Sequence, residues 1–460
     1  MNRQRHSPTI WIHPNELAIE PLEWDIPNAM RLELHNGMIV YLQADTELPL
    51  LDVRAIIRAG TVYEPPHLTG LAEITAETVR TGGIASPQRT MTSDDVDRHI
   101  EYLAGRLETY ADREYSLASL SILEKDKTEG LALLRDMLMY PALDGKIIEH
   151  TKKKQIEDIR RQNDNPQQVA FREWLKLVYG AKSPWAMTPQ VETIQSIQQT
   201  DVNDFYQRYY QPNNIILTVY GAFDPDRIEM ELEELFQAWQ PQPISFPAIP
   251  PITSTTSPEL VVVPKVQEQS VIVLGHLGIR RNSPDYFPIL VMNEILGGGF
   301  TSRMMREIRS NRGLSYGVYS RLTEGTEAGV FVSYCATKTE STREAIEVMT
   351  GIVREMKTAP PAPEEMELAT ESLLNNFVFQ FDARSELVRR LAGLEFFGQP
   401  ADFYQTYREN VVRVTAQDVQ RVAETYLHPE NLKILVVGDA EQLMVSLQPV
   451  GTPRLIHLNP

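Results

Sequence analysis

The chain has 460 residues, with 44 Lys or Arg against 62 Asp or Glu, a net charge of −18. That balance argues against nucleic acid and against an anionic membrane surface as partners, and is read first as a solubility feature. The lone cysteine, Cys335, excludes a disulfide framework and any Cys-based zinc site.

The length exceeds one ordinary core, so two or more domains are expected. The opening run MNRQRHSPTIWIHPNELAIE has no apolar signal region, and no stretch of about 18 apolar residues occurs elsewhere. Cytoplasm is therefore the expected location, or the periplasm if a signal was removed ahead of this numbering.

A strand is predicted at 51–60 (LDVRAIIRAG), followed by GLAEITAETVRTGG at 70–83, a helix closed by two glycines. Glu73 and Glu77 sit at i and i+4 on one face, with Arg80 a turn further on. A second acidic pair, Glu157 and Asp158, falls in the predicted helix KKKQIEDIRRQNDNP at 152–166. Four carboxylates from two helices can hold a hard cation such as Mg²⁺ or Ca²⁺. The competing reading is helix-surface pairing of Glu77 with Arg80 and of Glu157 with Arg160 and Arg161.

The segment 201–221 (DVNDFYQRYYQPNNIILTVYG) aligns without a gap to 418–438 (DVQRVAETYLHPENLKILVVG). Asp, Val, Tyr, Pro, Asn, Val and Gly recur in register, as helix, Pro-x-Asn turn and apolar strand. Strand 269–278 and helix 285–299 repeat the order seen near 51–83; strand 329–337 and helix 341–356 follow. Residues 240–258 are rich in Pro, Ser and Thr and read as an extended linker. We expect an α+β fold of two homologous domains, 20–239 and 259–457, each a mostly antiparallel sheet with helices packed on one face. A cleft between such halves is a favoured ligand position.

No two of the nine histidines are three to five residues apart, and no GxSxG elbow, phosphate loop or GxGxxG follows a strand. Gly297 to Gly299 end a helix and read as its stop. The run at 304–322 (MMREIRSNRGLSYGVYSRL) carries Arg306, Arg309 and Arg312, with Arg303 just before it and Tyr316 and Tyr319 after. Spacing by three predicts arginines drifting slowly round one side of a helix. An Arg on a substrate carbonyl and a Tyr hydroxyl at a developing oxyanion suit peptide hydrolysis; a basic helix face paired with acidic neighbours is the alternative.

Taken together, these motifs resemble the pitrilysin/insulinase family of zinc peptidases, which includes the mitochondrial processing peptidases. The resemblance runs from about Trp24 to Leu447. Active members carry G-L-A-H-x-x-E-H-x-x-x-x-G-T where this chain has GLAEITAETVRTGG. Glu157-Asp158-Ile159-Arg160 resembles the family's E-E-I-R, Asp112-Arg113-Glu114-Tyr115 its S-R-E-Y, and 295–320 its iLGGGxxSRLxxxlRexxGLxYxvys.

The resemblance implies that the zinc-ligand positions hold Glu73, Glu77 and Asp158, and that the general-base position is Ala76. Loss of the base alone removes a step commonly worth about 10²–10⁴-fold. It also implies that Arg309 and Tyr316 match an Arg/Tyr pair that reaches across to a zinc borne by the opposing half. Arg312 and Tyr319 share that spacing but fall outside the motif. The expectation is a subunit without zinc of its own, with zinc in a homologous HxxEH-bearing partner and unfolded peptides as substrate. Two alternatives remain open: a structural or peptide-binding homologue that homodimerises, and a relocated cation site at Glu73, Glu77 and Asp158.

Overall fold

The computed structural model describes residues 29–252, 257–381 and 383–458. Positions 20–28 of the expected first domain, and 253–256 of the expected linker, lie outside them, as does the start of the family resemblance at Trp24. Among the described residues no helix is long and apolar enough to cross a membrane.

The first sheet has six strands in the spatial order Met30–Glu33, Ile39–Ala44, Ile215–Gly221, Leu50–Ile57, Ser116–Leu123, Arg106–Ala111. All neighbours are antiparallel except Ile39–Ala44 with Ile215–Gly221. Leu50–Ile57 shows why it is central: every second side chain, Leu51, Val53, Ala55 and Ile57, is fully buried. Helices Leu71–Thr81, Lys127–Met139, Gln199–Tyr209 and Ile228–Phe236 bury their apolar stripes in the same core.

The second sheet runs Val318–Leu322, Val330–Lys338, Gln269–Leu277, Lys433–Gly438, Glu259–Pro264, Arg454–Leu455. Its single parallel pair among the repeated strands, Lys433–Gly438 with Glu259–Pro264, corresponds to the parallel pair of the first sheet. The repeated segments fold alike. Helices Gln199–Tyr209 and Ala416–Tyr426 lead through 3₁₀ turns Pro212–Asn214 and Pro429–Asn431 into strands Ile215–Gly221 and Lys433–Gly438. The fold is thus α+β, with two similar halves built on mostly antiparallel sheets.

The other face of each sheet receives one helix from the opposite half. Helix Pro166–Tyr179 starts with Pro166 at its first position and with the Asn165 side chain accepting from the Gln167 and Gln168 amides. It lays Val169, Ala170, Trp174 and Val178 against Val261, Val273, Leu435 and Val437 of the second sheet. Trp174 is fully buried and its indole N–H donates to the Lys433 carbonyl at 2.8 Å. Gly275 makes room: a Cβ there would lie 2.9 Å from the Trp174 ring and 1.8 Å from the Phe331 carbonyl oxygen. In return, helix Ser385–Phe396 sets Ala392 and Phe396 on Ile216 of the first sheet. Glu395 accepts from Arg31 at 2.6 and 2.8 Å and from Tyr41 at 2.5 Å. Arg58 lies 4.3 Å over the Phe396 ring.

Candidate functional site

The helix Leu71–Thr81 begins at Gly70, whose φ of 106° favours glycine. Its first amides are capped from a distance. The Glu64 carboxylate accepts from the Gly70 amide at 3.0 Å and the Ala72 amide at 2.5 Å. Burial pushes the Glu64 pKa up to about 8, against those two donors, which hold it down. Leu71, Ile74, Thr75, Ala76, Thr78 and Val79 are buried. Ala76, at the base position, is completely enclosed, and its carbonyl accepts from the Thr109 hydroxyl at 2.6 Å.

Glu73 and Glu77 face a cavity of about 790 Å³ that Asp158 also lines. Its wall includes Leu107 to Ala111 of the strand Arg106–Ala111, the edge of the first sheet. The structure therefore brings Glu73, Glu77 and Asp158 to one cavity; Glu157 is not among its lining residues.

Glu77 does not pair with Arg80. Its carboxylate accepts from Lys154 Nζ at 2.8 Å, a residue of the helix Gly145–Arg161. Arg80 is drawn instead to Asp97 at 2.6 Å and to the Leu107 carbonyl at 2.8 Å, because the edge strand and the helix Ser93–Tyr102 close over its guanidinium. On the other helix the expected pair of Glu157 with Arg160 forms at 2.5 Å, but Arg161 meets Asp158 at 3.3 Å instead of Glu157. Glu73 has no ion-pair partner among the described residues, and burial, then the Glu77 charge, raises its pKa. The bond to Glu77, with a further contribution from Asp158, raises that of Lys154.

This donor set does not fit a metal ion. An ammonium already occupies the Glu77 carboxylate, Asp158 is turned toward Arg161, and the donors are oxygens where zinc peptidases use imidazole. Among the described residues no group of three or more His, Cys, Asp or Glu is placed to hold a metal ion.

Arg309 and Tyr316 lie elsewhere; neither lines that cavity. Residues Met305–Asn311 form a π-helix, with Arg312 N–H donating to Glu307 O at 3.2 Å. Its wider turn spreads residues three apart round the axis, so the arginines do not share one slowly drifting side as α-helical spacing predicts. They divide by partner. Arg303 binds both oxygens of Glu365 at 2.8 and 2.6 Å, Arg306 approaches the same carboxylate at 3.8 Å, and Arg312 meets Glu344 at 2.9 Å. Arg309 has no carboxylate partner among the described residues; its guanidinium sits 5.3 Å from the centre of the Phe300 ring. Tyr316 is 95% exposed, just ahead of the edge strand Val318–Leu322. Tyr319, by contrast, stacks on Tyr334 with ring centres 5.2 Å apart.

Sequence reasoning missed two residues. Lys154 belongs to the quoted run KKKQIED, where its place four residues before Asp158 was the available signal. Glu64 stands six residues before Gly70, and nothing local marks it as a cap.

Residues 40–183 match the family described as "Insulinase (Peptidase family M16)", and residues 196–373 match "Peptidase M16 inactive domain". The "Uncharacterized zinc protease YmxG" of Bacillus subtilis is 20% identical over 393 residues, spanning 85% of this chain and 93% of that protein. The "Non-peptidase homolog YmxG" of Helicobacter pylori is 21% identical over 399 residues, 86% of this chain and 90% of its own. Among solved structures, a peptidase M16 inactive domain from Pseudomonas fluorescens superposes with a TM-score of 0.80 at 22% identity, over 90% of this chain and 98% of that one. The periplasmic protease PqqL of Escherichia coli superposes with a TM-score of 0.73 at 15% identity, over 93% of this chain but 48% of that one. These likenesses carry the same fold, and the two matched segments together take in most of the sequence. The chain belongs to the insulinase, or M16, peptidase family.

Proposed function

We propose that this chain is the zinc-less half of a two-chain peptidase, presenting Arg309 and Tyr316 to a zinc site carried by a homologous HxxEH-bearing partner. The observation that carries this reading is how the arginines are spent. Arg303 and Arg312 are hydrogen-bonded to carboxylates and Arg306 lies 3.8 Å from one, whereas Arg309 and Tyr316 stand exposed with no carboxylate partner among the described residues. Arg309 is suited to donate to a peptide carbonyl, and the Tyr316 hydroxyl to the oxygen on which charge develops. The partner's zinc supplies the activation of water.

In this reading Glu73, Ala76, Glu77 and Asp158 occupy degenerate zinc-motif positions, and 20–239 and 259–457 are the two domains, joined by 240–258. The free edge of Arg106–Ala111 offers backbone hydrogen bonds to an extended, unfolded peptide. That this chain superposes on 48% of PqqL agrees with two such chains completing one chamber.

The test is to purify the chain with an HxxEH-bearing homologue and follow zinc-dependent cleavage of an unfolded peptide. Arg309→Ala and Tyr316→Phe are each expected to lower kcat/KM by about 10²–10³-fold. Full activity in both variants, or robust zinc-dependent turnover by the chain alone, overturns the proposal. The Helicobacter relative named a non-peptidase homologue favours a second reading, a peptide-binding homodimer with no catalytic role. That reading predicts a homodimer by mass, and no turnover with any partner.

A further inference from the structure

The cavity of about 790 Å³ at the degenerate zinc motif holds one charge more than its own pairs use. Three cations line it, and each is committed. Lys154 is held by Glu77 at 2.8 Å and Arg80 by Asp97 at 2.6 Å. Arg172 donates to Glu173 and to the Gln162 carbonyl at 2.8 Å, and to Asn163 Oδ1 at 2.6 Å. Of the four carboxylates, Glu77 has Lys154, Asp158 has Arg161 at 3.3 Å, and Glu108 is exposed 3.8 Å from Arg106. Glu73 remains. It is half-buried, lines the cavity, and has no cation paired with it among the described residues. A carboxylate partly withdrawn from water without a partner is unfavourable, and Lys154 shows that an ammonium fits in this space.

The neighbouring sheet edge decides what can reach Glu73. The strand Arg106–Ala111 has no neighbour on its outer side among the described residues. The Asp112 amide donates to the Tyr115 carbonyl at 2.7 Å, so by antiparallel alternation Leu107, Thr109 and Ala111 turn their backbone groups to that open side. Arg80 takes the Leu107 carbonyl at 2.8 Å and leaves Thr109 and Ala111 available. The Thr109 hydroxyl donates to the carbonyl of Ala76, which lies between Glu73 and Glu77, so the helix Leu71–Thr81 packs directly across this edge. A peptide added there turns every second side chain toward the helix, and so toward Glu73.

We propose that this cavity is a pocket for a basic side chain: an extended peptide lying along 109–111 presents a lysine or arginine to Glu73. The net charge of −18 favours the approach of such a peptide. The assignment rests on the two-chain reading only in that an extended peptide uses this edge; it needs neither zinc nor Arg309.

The full chain alone is titrated calorimetrically with a short threonine-rich peptide, blocked at both ends and carrying one central lysine. Its counterpart has norleucine there, which keeps the length and loses the charge. The lysine peptide is expected to saturate and to bind at least about tenfold more tightly than the norleucine one. Glu73→Gln, which keeps the shape of the side chain, should remove that preference. If Glu73→Gln fails to fold, the exposed Lys154→Met is read instead: it frees Glu77 and should tighten the lysine peptide at least about threefold. Nα-acetyl-lysine methylamide, which has the cation without a strand, should bind at least about tenfold more weakly than the lysine peptide. No saturation up to about 10 mM, equal affinity for the two peptides, or a lysine preference that survives Glu73→Gln overturns the pocket; methylamide binding as tight as the peptide's overturns the part played by the strand. Turnover with an HxxEH-bearing partner is a separate measurement. Its absence leaves the lysine preference expected here, and loss of that preference leaves the Arg309 and Tyr316 assay standing.

Discussion

The Lys154 ammonium lies 2.8 Å from the Glu77 carboxylate, tying the helix Gly145–Arg161 to the helix Leu71–Thr81. It places a fixed positive charge beside two of the three positions that the family resemblance assigns to zinc ligands. Both partners retain solvent access, so the pair contributes at most about 1 kcal/mol to stability. Its effect is on what else the cavity can hold.

Rebuilding the metal motif therefore needs more than its ligands. Glu73→His, Ala76→Glu and Glu77→His together are expected to bind zinc poorly while Lys154 remains. Adding Lys154→Ala should tighten zinc at least about tenfold, by removing a neighbouring like charge. Titration calorimetry with zinc measures both, and equal affinities show that Lys154 plays no such part.

Arg303 and Arg309 should separate stability from function. Arg303→Ala leaves Glu365 partly buried without its two bonds and is expected to cost about 1–3 kcal/mol in urea unfolding. Arg309→Ala removes an exposed group and should stay within about 0.5 kcal/mol of the parent chain. A large loss of stability in Arg309→Ala contradicts its assignment as an unspent surface cation.

Trp174→Ala should loosen the joint between the halves. The ring is fully buried on the second sheet and its N–H bonds Lys433, so a loss of about 3–5 kcal/mol is expected. Trp174→Phe keeps most of the packing and should cost less. Denaturant unfolding that shows the two variants equal argues against the packing of the ring as the source of the loss.

His276 gives the fold an acid limit. Its Nδ1 donates to the Leu277 carbonyl at 2.7 Å and its Nε2 accepts from the His428 amide at 3.0 Å, an arrangement that requires the neutral ring. Burial, aided by the His428 and Lys357 charges and opposed by the Leu277 bond and Glu430, lowers its pKa to about 4. The unfolded chain therefore binds the proton more readily. Stability from this group is present above the ordinary histidine pKa and falls as pH drops from about 6.5 toward 4, by about 3 kcal/mol in all. Urea unfolding across that range should show the slope, and His276→Gln should reduce it.

What could be read from the sequence was local. Pro212-x-Asn214 and Pro429-x-Asn431, each between a helix and a strand ending in glycine, fix conformation through neighbours in the chain, and both copies fold as that pattern requires. Glu73 and Glu77 share a face for the same reason. Partner choice was not local. Glu77 could satisfy its charge with Arg80 three residues away, yet takes Lys154, which lies 77 positions on. The apolar face of 166–179 announces burial, but nothing in its periodicity names Lys433, 259 positions beyond Trp174. The π-helix at Met305–Asn311 likewise keeps a helical composition while changing which side chains align.

The traded helices also impose an order on synthesis. When residues 166–179 leave the ribosome, the strands that will cover Trp174 and Val169 have not been made. Those surfaces must wait for Val261 and Val273, and then for Leu435 and Val437 of the second half. The first sheet waits similarly for Ala392 and Phe396. A nascent chain paused between the halves thus displays two unfinished apolar faces, and a truncation there would release a protein with sticky surfaces rather than a smaller finished one.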